Sequence, residues 1–100
     1  MRDAVAVYTD TWMSMGVSDS ERAERMREFA PFQVNETLLA SAAPGAIFMH
    51  CLPAHRGEEV SADVIDGPRS VVFEQVENRG HTEQAVLAAF LQHELEGARP

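Results

Sequence analysis

Lysine is missing from this chain of 100 residues: all eight bases are arginine, set against sixteen acids for a net charge of −8. A phosphate backbone would be repelled by that mean field, so binding of nucleic acid by bulk charge is excluded, although one arginine in a pocket can still hold one phosphate. Cysteine is nearly missing too. The lone Cys51 forms no internal disulfide, which fits a reducing cytoplasm. No apolar run approaches the eighteen or so residues needed to span a membrane. The valines after Met1-Arg2-Asp3 do not build the apolar core of a secretory signal. With six glycines and five prolines the chain is neither collagenous nor low in complexity. What remains, 45% apolar and 24% charged residues, is the composition of one small globular domain or a piece of a larger one.

Ala4-Val-Ala-Val-Tyr-Thr9 is a continuous β-rich run, which predicts a strand covered on both faces. Ser18 and Glu21 have the spacing of a capping box. Behind them Ala23, Met26, Phe29 and Ala30 share one helical face, and Pro31 stops that helix. Asn35 caps a second helix through Leu39 that ends at Pro44-Gly45. Ala46 to His50 is a second buried strand, Ser61 to Ile65 a helical turn, and Ser70-Val-Val-Phe73 a short third strand. The last helix is expected from about Asn78 to Leu95, with two apolar faces and hence burial on two sides. Strands alternating with helices predict an α/β fold, a three-layer doubly wound parallel sheet with right-handed crossovers. Three strands leave both edges open, so the sheet is partial.

Three polar stretches each follow a predicted strand: Asp10 to Gly16, His50 to Gly57, and Glu74 to Arg79. Ligands of open parallel sheets bind outside the carboxyl ends of the strands, so these stretches are expected to converge. They bring a carboxylate and hydroxyl (Asp10, Ser14), a thiol between two imidazoles (His50, Cys51, His55), and guanidiniums (Arg56, Arg79). That set suits a small zwitterion with an anionic partner. Asp10 would hold an ammonium, and Arg79 would clamp a phosphate or carboxylate.

His50-Cys-Leu-Pro-Ala-His-Arg-Gly57, together with Asp10-Thr-Trp-Met-Ser-Met-Gly16, resembles the ornithine-binding domain of the ornithine carbamoyltransferases. Glu77-Asn-Arg79 and Phe32-Gln-Val-Asn35 stand in matching order, and the resemblance covers essentially the whole chain. It implies carbamoyl transfer from carbamoyl phosphate to the side-chain amine of ornithine, giving citrulline and phosphate in arginine metabolism. It also implies a homotrimer or a multiple of one, with no metal or cofactor. By this resemblance Asp10, Ser14 and Met15 hold the α-amino and carboxylate end of ornithine. Cys51 and the Leu52 carbonyl orient the δ-amine, Arg79 contacts carbamoyl phosphate, and Leu52-Pro53 is cis. Family members run to about three times this length in two domains. Residues 1–100 would then be the C-terminal part of the ornithine domain, without the Ser-Thr-Arg-Thr loop of the carbamoyl phosphate domain. A chain so composed is expected to make no citrulline alone.

Plainer readings stand beside these. A lone cysteine is by default a small buried thiol, Asp10 can cap a turn, and Trp12 is expected to pack rather than bind. His50, Cys51 and His55 make a weak zinc set, because a structural site wants four ligands. His50 reads as a strand-end residue held by a backbone or loop hydrogen bond. Arg79 falls in the first turn of the predicted last helix, where the helix dipole disfavours a cation, and that misfit points to a ligand. The rival from another class is a naturally short, non-catalytic protein that binds amino acids or caps a partner subunit.

Overall fold

The computed structural model describes residues 1–13 and 16–97. Two runs rich in β-branched and aromatic residues form its sheet, β1 (Ala6–Thr9) and β2 (Ile47–His50). They pair in parallel, with Val7 opposite Phe48 and Thr9 opposite His50. Parallel pairing requires a long crossover. Here it runs through α1 (Asp19–Phe29), a 3-10 turn (Ala30–Phe32) and α2 (Glu36–Ala40). After β2 come α3 (Ala62–Ile65) and the long α4 (Val72–Gly97).

Local chemistry explains where the helices start. Ser18 and Glu21 close a full capping box on α1, each serving the other's backbone. Asn35 Oδ1 accepts from Leu38 N at 2.9 Å and caps α2. Pro31 lies in the 3-10 turn directly after α1, where the helix gives way. The core gathers on one face of the sheet: Val7, Val34, Leu39, Phe48, Val60, Val64, Ile65 and Val72. Val34 enters it through a single parallel bridge to Val60, with Val34 N on the Glu59 carbonyl at 2.9 Å and Ser61 N on the Val34 carbonyl at 3.0 Å.

Among the described residues nothing covers the other face of the sheet, contrary to the expectation of strands covered on both sides: Tyr8 is 55% exposed and Ile47 36%. The predicted third strand shrinks to one bridge between Ser70 and Phe48, because the chain turns helical at Val72. Nothing between Ser70 and Glu74 breaks a helix. Helical geometry lets Val72 enter the core and aims Gln75 Oε1 at the backbone N–H of His50, 3.0 Å away. α4 therefore begins six residues before the expected Asn78, and Glu74 to Arg79 is helix rather than loop. Nor is α4 buried on two sides. From Val76 to Glu94 every residue is exposed, because no described element packs there.

Candidate functional site

The register of the sheet builds the site. Thr9 and His50 are partners, so the next residue of each strand, Asp10 and Cys51, emerge side by side at the carboxyl end. Cys51 Sγ donates to Asp10 Oδ1 at 3.0 Å, and the same oxygen accepts Thr11 N at 2.7 Å. The thiol, then the backbone N–H, hold the Asp10 carboxyl below its usual range. Asp10 is thus a firmly anionic, exposed acceptor.

Arg79 reaches the site from α4, donating through Nη1 to the Cys51 carbonyl at 3.3 Å, with its Nε 3.4 Å from Glu83. It sits two turns into α4, so the dipole argument for a ligand role fails, yet the guanidinium arrives beside the thiol all the same. Tyr8 joins from the other face of the sheet. The Cys51 side chain, then burial, raises its phenol above the ordinary range. Ser14 and Met15 lie outside the described residues.

Behind Cys51 the loop is fastened from beneath. The Leu52-Pro53 peptide is cis, as the resemblance implies, and Leu52 has φ 58. Leu52 N donates to His50 Nδ1 at 2.8 Å, which leaves the ring proton on Nε2, where it meets Glu59 Oε1 at 3.1 Å. His50 and Glu59 are both fully buried. Glu59 Oε1 also accepts His55 N at 2.7 Å, so one buried carboxylate ties both ends of the His50–His55 segment. The strand-end reading of His50 holds. Glu59 was beyond sequence reasoning; its one signal is an acid four residues after His55.

Other side chains hold the loop's far end. Gln33 Nε2 donates to the carbonyls of Gly57 (3.1 Å) and Glu58 (2.8 Å), and Arg22 of α1 pairs with Glu58. Arg56 does not turn to the site. It makes a two-pronged pair with Asp66 at 2.8 and 2.6 Å that lowers the Asp66 carboxyl, first by hydrogen bonding and then by charge. His55 is exposed and meets the Thr11 hydroxyl at 3.3 Å. Trp12 packs edge-on against Phe29 at 5.7 Å, which agrees with a packing role. A cleft of about 160 Å³ under Leu52, lined by Ala54, Ile65 and Val72, is separate from Asp10, Cys51 and Arg79.

Chemically, the assembly offers an anion, a thiol, a carbonyl-bound guanidinium and a phenol around one strand end. The profile of the family described as "Aspartate/ornithine carbamoyltransferase, Asp/Orn binding domain" matches residues 1–90. An ornithine carbamoyltransferase of Thermococcus kodakarensis is 59% identical over 88 residues, which are 88% of this chain and 28% of that protein. Among solved structures, the Pyrococcus furiosus ornithine carbamoyltransferase superposes with a TM-score of 0.80 at 57% identity over 87% of this chain and 28% of its own. The anabolic ornithine carbamoyltransferase of Campylobacter jejuni gives 0.81 at 38% identity, covering 93% and 30%. The chain thus spans under a third of the length of the relatives it matches.

Proposed function

The chain belongs to the aspartate/ornithine carbamoyltransferase family, and on that premise we propose that it is the ornithine-binding part of an ornithine carbamoyltransferase. The reaction joins carbamoyl phosphate to the δ-amine of L-ornithine, giving L-citrulline and phosphate. The observation that supports this reading is the meeting of Asp10, Cys51 and Arg79 at one strand end.

In this reading Asp10, kept ionised by the Cys51 thiol and Thr11 N–H, receives the α-ammonium of ornithine, with Ser14 and Met15 completing that contact. The Cys51 proton is directed at Asp10. Cys51 therefore serves to orient the amine through its sulfur, together with the Leu52 carbonyl, and not as a nucleophile. Arg79 supplies positive charge toward carbamoyl phosphate. Catalysis then rests on placing a neutral amine against the carbamoyl carbon and stabilising the developing charge. Residues 1–100 are the C-terminal part of the ornithine domain, working in a cytoplasmic homotrimer or a multiple of one. The carbamoyl phosphate domain belongs to the rest of such an enzyme, and this chain alone makes no citrulline.

A second reading, a short amino-acid-binding or subunit-partner protein without catalysis, draws on the exposed Val86, Leu87, Phe90 and Leu91 of α4. Grafting separates the two. Residues 1–95 replace the matching segment of the Pyrococcus furiosus enzyme, and citrulline formation is followed. Turnover that falls at least tenfold with Cys51→Ser or Arg79→Ala supports the first reading. A folded chimera without turnover overturns it.

A further inference from the structure

Between β2 and α3 the chain carries His55, Glu58 and Glu59, whose ligand atoms lie within 4.8 Å of one another. None of the three belongs to the Asp10–Cys51–Arg79 assembly. Glu59 is fully buried, and while its Oε1 takes two hydrogen bonds, its Oε2 has no partner among the described residues. Glu58 repeats the pattern: Oε1 pairs with Arg22, and Oε2 is buried without a partner. Leaving a carboxylate oxygen buried and unpaired costs more than a lost neutral hydrogen bond. Here two such oxygens occur on adjacent residues, and one arginine answers two negative charges.

The third member is an imidazole. His55 Nδ1 lies 3.9 Å from Glu59 Oε2. Its other neighbour, the Thr11 hydroxyl at 3.3 Å, also reaches the Met13 carbonyl at 3.3 Å. A hydroxyl has one proton to give. Because that hydroxyl has the Met13 carbonyl as an alternative partner, the exposed His55 ring can give up the Thr11 contact, and with its proton on Nε2 it then presents the Nδ1 lone pair beside the two carboxylate oxygens. A water could donate to the oxygens but would leave the charge standing. A cation satisfies all three atoms and the charge together.

We propose that His55 Nδ1, Glu58 Oε2 and Glu59 Oε2 form a binding site for one divalent cation of the zinc or manganese class. The mixed nitrogen and oxygen set selects this class, because magnesium and calcium favour oxygen alone. Ligands of such an ion stand about 3–3.5 Å apart, a spacing the exposed His55 ring reaches by a small rotation. The bound ion braces the loop that carries Leu52-Pro53 and, through Glu58 and Arg22, fastens it to α1. The inference is independent of the carbamoyl transfer reading.

The test uses the full chain with Mn²⁺ alone and Zn²⁺ alone. Paramagnetic broadening by Mn²⁺ is expected to be strongest at His55, Glu58 and Glu59 and weaker at Cys51. Calorimetry is expected to show one ion per chain, weakened at least tenfold by Glu58→Gln and by His55→Asn and within twofold of the parent in Cys51→Ser. Broadening centred on Asp10 and Cys51, the absence of any saturating binding below millimolar ion, or affinity indifferent to both substitutions would each overturn the site. The broadening experiment reads the unsubstituted chain, so its result stands even where a variant folds poorly.

Discussion

Cys51 Sγ and Asp10 Oδ1 stand 3.0 Å apart although their residues are 41 positions apart in the chain. The thiol donates, and the carboxyl is held below its ordinary range chiefly by that bond. A carboxyl whose folded pKa is depressed contributes stability above its unfolded pKa, and the contribution disappears as pH falls through the folded value. Cys51→Ala should therefore raise the Asp10 midpoint toward the ordinary carboxylate value and narrow the acid range over which Asp10 stays charged. A carbon-detected NMR titration of the Asp10 carboxyl reads this directly. An unmoved midpoint would show that the thiol does not set it.

The buried His50–Glu59 pair leads to a stability prediction. Removing one member leaves a hydrogen-bonding group of the other buried and unpaired, at a typical cost of about 1–3 kcal/mol. Glu59→Ala should lose stability on that scale in urea denaturation, while Glu59→Gln, which keeps an acceptor for His50 Nε2, should lose distinctly less. His50→Ala added to Glu59→Ala should cost less than the sum of the two, because the pair acts as a unit. Full additivity would count against the pairing.

Two glycines should respond in opposite directions. A Cβ on Gly67 would stand 2.3 Å from the Asp63 backbone carbonyl oxygen, so Gly67→Ala must displace the end of α3 and destabilise the fold. Gly80 lies inside α4 with open space around it. Gly80→Ala should stabilise that helix by about 1 kcal/mol, visible as slower amide exchange between residues 76 and 86. Faster exchange would contradict it.

Phe48 and Phe73 test the position of the core. Phe48 is fully buried and Phe73 is 78% exposed. Phe48→Ala should cost about 3–5 kcal/mol, and Phe73→Ala should stay within about 0.5 kcal/mol of the parent. Equal losses in thermal unfolding would mean that the chain packs α4 in some other way.

Much of the architecture was legible because its signals are local. Ser18 with Glu21, and Asn35 with Leu38, are caps built within one helical turn, and the structure places both where the residues predict them. The alternation of strand and helix implied parallel pairing, and parallel pairing implied that the stretches carrying Asp10 and Cys51 would converge. The Ser70–Phe73 stretch departs from its predicted strand because a β-rich composition is a weak local preference. Placing Val72 in the core and Gln75 on the His50 N–H favours the helix instead.

By itself, the amino-acid sequence determined the helix caps, the α/β class, the family and the residue types at the two strand ends, since each is written in short-range pattern or motif. Tertiary structure alone decided that Glu59 anchors His50, that Arg79 reaches the Cys51 carbonyl from a helix, and that Arg56 turns away to Asp66. Those outcomes depend on which side chains find partners across loops far apart in the chain. No local preference carries that information.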